Sequence, residues 1–218
     1  MHRFAWMTAA LVTLSCGGKT KPTVDPQFDD HVKATKDKIA KLDKIKAAVA
    51  AAAPITEDKL EPAAKKGNWT ILATDQLAQL DACFSDAKIC GPEWTLLKTC
   101  QDDAKKTAEE VAAQYGGTAN LKACSELKLL AVVRKVSFTK PSADRKAKTY
   151  SPGEFVGEVL VFDIDSAANL GGFRVTAKTP ESLDKVPEGA DVDDSLLRTI
   201  NQSFIEGVKL KLGNPRRE

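Results

Sequence analysis

The chain has 218 residues, 43% hydrophobic and 28% charged, an ordinary globular composition with enough apolar material for a self-sufficient core. Lys and Arg number 32 against 30 Asp and Glu, so a net charge of +2 gives no general attraction to nucleic acid. Aromatic residues make up 6%, and no basic run is interleaved with them as a stacking platform, so nucleic acid is set aside as a partner.

Met1-His2-Arg3 is a positive start, Phe4 to Leu14 is a short apolar segment, and small residues follow. This is the layout of an export signal. The apolar run stops at Ser15-Cys16-Gly17-Gly18, well short of the roughly 20 residues that span a bilayer. At that boundary Thr13-Leu14-Ser15-Cys16 resembles the lipobox of bacterial lipoproteins, with the small Ser15 and Cys16 in place and Thr13 where Leu is usual. The resemblance is confined to the leader. It implies cleavage before Cys16, acylation of Cys16, and attachment to a membrane through the acyl chains. Gly17 in place of Asp after the cysteine implies the outer membrane in preference to the inner one. The alternative is an ordinary secreted protein with a spare thiol beside its cleavage site.

Residues 16–24 are small, polar and interrupted by Pro22, which suits a flexible tether. A helix is expected over 25–54: Asp25 can cap it, Pro26 sits at its first position, Asp29 and Asp30 face the positive dipole end, and Pro54 stops it. Phe28, Val32, Ile39, Leu42, Ile45 and Val49 form one stripe, interrupted by Thr35 and Lys46. That stripe is expected to pack on the protein's own domain. The lysines of the outer face, Lys33, Lys36, Lys41 and Lys44, are then the candidates for contact with an envelope protein partner.

Residues 55–218 are expected to form one α+β domain. Thr56 to Lys66 is a loop or short helix, and Trp69 to Thr74 reads as a short strand before a helical turn. A second long helix is marked from Pro92, with Leu97, Cys100, Ala104, Val111 and Tyr115 on one face and Gly116-Gly117 as terminator. Leu127 to Phe138 is a largely apolar strand, and Pro141 to Gly153 a loop carrying Arg145, Lys146 and Lys148. Phe155 to Lys178 reads as a β-hairpin. Its first run is apolar on both faces, with Val156, Leu160, Phe162 and Ile164 against Phe155, Val159 and Val161, as in a covered central strand. Its second run alternates Phe173, Val175 and Ala177 with Arg174, Thr176 and Lys178, as in a strand with one wet face. A last helix runs from the acidic Asp191 to Ser195 segment toward Leu212. The expected architecture is a small antiparallel sheet of three or four strands with helices packed on one face, preceded by the long amphipathic helix.

Cys83, Cys90, Cys100 and Cys124 are an even set in a chain addressed to an oxidising compartment, so two disulfides are expected. Three connectivities are possible. Cys90 to Cys100 is the least comfortable neighbour pair, because the helix start and Cys100 stand about 12 Å apart, and the spacing favours Cys83 to Cys90 with Cys100 to Cys124. A zinc site would need close Cys pairs or several histidines, and the spacing has neither. Asp163, Asp165, Ser166 and Asn169 fail as a calcium loop, since Ala168 stands at the place of the required Gly and Arg174 at that of the closing Glu. No catalytic residue, metal or cofactor is expected. The expected function is a non-catalytic envelope lipoprotein that binds or scaffolds a partner, and the alternative is a carboxylate-dependent hydrolase acting on an envelope glycan.

Overall fold

The computed structural model describes residues 24–82, 84, 94–114, 117–144, 149–182 and 192–215. The leader, most of the tether, Cys16, Cys83, Cys90 and the basic run 145–148 lie outside them. The strands are β1 (Lys59–Leu60), β2 (Asn68–Ala73), β3 (Leu127–Thr139), β4 (Ser142–Asp144), β5 (Thr149–Ser151), β6 (Glu154–Asp163) and β7 (Asn169–Lys178). The helices are α1 (Phe28–Ile39), α2 (Leu42–Ala51), α3 (Leu96–Asp103), α4 (Ala108–Ala112), α5 (Gly117–Ser125) and α6 (Val192–Leu212).

The protein is α+β, but its sheet has five strands in the order β1-β7-β6-β3-β2, and β4 with β5 makes a separate ribbon. The sheet is also mixed, because β2 runs parallel to β3 while the other neighbours are antiparallel. A parallel pair needs a long crossover. The segment from Thr74 to Glu126, containing α3, α4 and α5, supplies it.

Helices cover the sheet on both faces, not one. The side chains of Phe155, Val159 and Val161 share a core with Ile200, Phe204 and Val208 of α6. Those of Leu160, Phe162 and Ile164 share another with Phe28 of α1, Leu42, Ile45 and Val49 of α2, Leu97 of α3 and Leu121 of α5. A strand this apolar on both sides cannot leave either side in water, because each exposed Phe or Leu would forgo about 1.5–3 kcal/mol of burial.

The hairpin of β6 and β7 is where the alternation placed it, and its turn is made by Asp163, whose Oδ1 accepts from the Ser166 backbone and hydroxyl. Short local bonds of this kind are turn chemistry. At the sheet edge Gly171 adopts φ +101°, and a Cβ there would lie 2.0 Å from the Lys59 carbonyl oxygen. Only glycine lets β1 come this close.

Two expected long helices are broken. Residues 25–54 form α1 and α2, interrupted at Ala40-Lys41, where the Lys41 N–H bonds to the Lys38 carbonyl three residues back. The buried row of α1 is Phe28, His31, Thr35 and Lys38, while Val32 and Ile39 are half-buried. The second long helix ends at Asp103, and Thr107 starts α4 by a reciprocal cap: its Oγ1 accepts from Glu110 N–H, and Glu110 accepts from Thr107 N–H. The glycine read as a terminator, Gly117, instead opens α5. The expected loop after Pro141 holds the ribbon of β4 and β5.

Candidate functional site

Among the described residues, the second sheet face is covered at one end only. From Ile164, just past β6, back along the strand on this face, Ile164, Phe162 and Leu160 are buried under helices, then Glu158 follows, then the half-exposed Val156 and Glu154. β7 contributes the exposed Arg174, Thr176 and Lys178 beside them, in register with Glu158, Val156 and Glu154. The alternating pattern of β7 therefore marked a real wet surface, and that surface is only half of the face.

At the border between the covered and open halves sits a charged cluster. Glu158 is 2% exposed although it stands in a central strand. Its Oε2 accepts from Arg134 Nε at 2.9 Å and Nη2 at 2.6 Å. Its Oε1 accepts from Arg174 Nε at 3.2 Å and Nη2 at 2.8 Å, and from the Ile55 backbone N–H at 2.9 Å. A buried carboxylate survives only when paired and hydrogen-bonded in this way. Burial by itself would push the Glu158 carboxyl up, but Arg174, Arg134 and the Ile55 N–H outweigh it and hold the group below its ordinary value.

Arg134 is the organiser. It also donates to the carbonyls of Ala52 at 2.8 Å and Ala53 at 2.9 Å, where α2 ends. Ala52 is the C-cap of α2, whose carbonyl a helix terminus leaves open, and Ala53 follows it. Beside the cluster Asp58 accepts from the Arg174 backbone N–H at 3.1 Å and from Lys211 Nζ at 2.7 Å. Lys211, first, and the Arg174 N–H hold its carboxyl below the ordinary value. Nearly every polar group here is already engaged. The cluster fastens residues 52–58 and the end of α2 to the sheet, and beyond it the open half-face presents Val156, Thr176, Lys178 and Glu154, the last two ion-paired at 2.8 Å.

The expected partner lysines fall elsewhere. Lys33, Lys36 and Lys44 are exposed and Lys41 is half-buried, and the exposed Asp29, Asp30, Asp37 and Asp43 share the same helices. That surface is mixed in charge rather than a basic stripe. Cys100 and Cys124 are joined in a disulfide that ties α3 to α5. His31 is buried where α1 meets α5, with Nδ1 at 2.9 Å from Ser125 Oγ and Nε2 at 3.9 Å from Asp25. This does not make a nucleophile. Ser125 Oγ donates to the Lys122 carbonyl at 2.7 Å, so its proton faces away from the imidazole, which must itself be the donor. Among the described residues no group of three His, Cys, Asp or Glu could hold a metal ion, and no helix is long and apolar enough to cross a membrane.

Glu158, Arg134 and Arg174 were not singled out as a group by the sequence reading. The available signal was Glu158 itself: an acid in the middle of an apolar two-faced strand must find cations on the neighbouring strands.

No family model matches the chain, and no curated protein matches it. Among solved structures it is similar to the hypothetical protein CT253 from Chlamydia trachomatis, at 7% identity and a TM-score of 0.30, over 69% of this chain and 98% of that one. At that TM-score the likeness carries no argument about fold or function.

Proposed function

We propose that the protein is an envelope lipoprotein anchored through Cys16, with its domain in the periplasm or at the cell surface and a non-catalytic binding or scaffolding role. The observation that carries this reading is the pairing of an export leader ending at Cys16 with a Cys100–Cys124 disulfide inside the fold. A disulfide persists in the oxidising compartments to which such a leader delivers a chain. Several acyl chains on Cys16, each contributing about 0.8 kcal/mol per buried methylene, would hold the domain at a membrane. Gly17 supports the outer membrane.

The binding role is supported by how the conspicuous polar groups are used. Glu158 is kept ionised by two guanidinium groups, the opposite of what a general acid needs. His31 ties two helices. A surface for a partner is then offered by the open half-face of the sheet around Val156, Thr176 and Lys178 and by the outer lysines Lys33, Lys36 and Lys44. Mass spectrometry of the mature N-terminus tests the anchor: an acylated Cys16 is expected, and an unmodified thiol or cleavage at another site would reject it. Recovery of partners with the lipidated protein from its own membrane, repeated with Thr176→Arg and Lys33→Glu, tests the two surfaces. Recovery unaffected by either change would reject both.

A further inference from the structure

The N-terminal helix is held by an unusual interface. Of the fully buried residues of α1 only Phe28 is apolar, with the half-buried Val32 and Ile39 packed on the same core; the others are His31, Thr35 and Lys38. α2, which follows after Ala40 and Lys41, docks through Leu42, Ile45 and Val49. Thr35 is fully buried, and its Oγ1 finds no hydrogen-bond partner among the described residues. The same holds for His31 Nε2. Lys38 carries a positive charge into a site 5% exposed, where its Nζ donates to the Leu127 carbonyl at 2.7 Å and to Asp165 at 2.6 Å. Each unpaired buried group opposes docking, because undocking returns it to water.

Two further features let α1 leave without the rest of the fold. Its seat is formed by α5 and α3, with Lys38 reaching past them to Leu127 and Asp165, and the two helices are locked together by the Cys100–Cys124 disulfide. Its far end is the interruption at Ala40-Lys41, where the three-residue hydrogen bond of Lys41 replaces the regular ladder. A 3₁₀ turn inside a helical run often marks a hinge.

We infer that α1 is a releasable strap: it undocks from α3 and α5 as a unit about the Ala40-Lys41 hinge while α2 and the sheet stay folded. The consequence for the protein, which rests on the lipid-anchor reading, is variable reach. Asp25 is nine residues along the chain from Cys16, a span of at most about 30 Å. A released helix of 12 residues is marginal in water and unravels, so release adds up to about 40 Å of extended chain. The domain can then sit close to its membrane or stand off from it.

Native-state hydrogen exchange on the full mature chain, in a series of low denaturant concentrations, tests the strap. Backbone amides of residues 32–39 are expected to exchange about 100-fold or more faster than those of Val159 to Val161, with little dependence on denaturant, as for a local opening. The isosteric Thr35→Val, which removes one unpaired buried hydroxyl, is expected to slow exchange in α1 about tenfold. Equal rates and equal denaturant dependence in α1 and β6 would overturn the inference, as would an α1 rate untouched by Thr35→Val. The mass of the N-terminal peptide in the same samples reports acylation of Cys16 independently, so the anchor and the strap fail separately.

Discussion

Glu158→Gln removes one charge from the border cluster and leaves the shape of the side chain. Five hydrogen bonds converge on the native carboxylate, four from Arg134 and Arg174 and one from the Ile55 N–H. The amide keeps one acceptor oxygen, and its NH2 must point at a guanidinium group, so at least one arginine loses its partner. Breaking a fully buried ion pair costs about 3–5 kcal/mol. Arg174 has a side chain 48% exposed and is rehydrated easily, so its share is small; Arg134, at 26%, keeps the Ala52 and Ala53 carbonyls. The expected loss is about 2–4 kcal/mol, read by urea denaturation at pH 7 with the disulfide intact. The pH dependence follows from the direction of the shift. The carboxyl is held below its ordinary 4.5 in the folded protein, so between the folded value and 4.5 the unfolded chain binds more protons. The stabilisation is therefore complete above 4.5 and is lost as pH falls through the folded value. The gap between wild type and Glu158→Gln should shrink accordingly in acid. A loss below about 0.5 kcal/mol at pH 7 would refute the reading of the cluster as a fastening point, and so would a gap that does not change with pH.

Phe162→Ala should cost about 3–5 kcal/mol, since the ring is fully buried in β6. Arg174→Ala lies on the same face of the sheet, and because it strips a partner from Glu158 it should cost about 0.5–1.5 kcal/mol rather than nothing; paired denaturation curves compare them, and equal effects would mean the register is wrong. Cys124→Ser should cost about 2–5 kcal/mol, and thiol counting in denaturant on protein from its native compartment should find Cys100 and Cys124 oxidised. Free thiols at both positions would contradict the disulfide.

Periodicity alone placed the strands at Leu127 to Phe138 and Phe155 to Lys178 and the final helix, because burial on one or two faces imposes a period that any single window displays. It also held more than was taken from it. Phe155, Val159 and Val161 on one side and Leu160, Phe162 and Ile164 on the other already required cover on two sides. Glu158, alone among them, already required cations. Thr107 followed by Glu110 already spelled a helix start inside the supposed long helix.

Other features were outside the reach of any local window. Whether β2 lies parallel to β3 depends on where the long crossover that holds α3, α4 and α5 lands, and nothing in Trp69 to Ala73 records it. That Val32 and Ile39 would stay at the margin while His31, Thr35 and Lys38 were buried depends on what α5, Leu127 and Asp165 present to them. A helix has one stripe that packs best in isolation, and its partners choose how far to rotate it. Arg134 could be read only as a charge within a largely apolar strand. It became the clamp of α2 because folding brings the carbonyls of Ala52 and Ala53, 82 and 81 residues away, within 3 Å of its guanidinium group. The sequence determines which faces must be dry; contacts between segments far apart in the chain decide what dries them, because that choice is made by the packing of the whole core and not by any stretch of it.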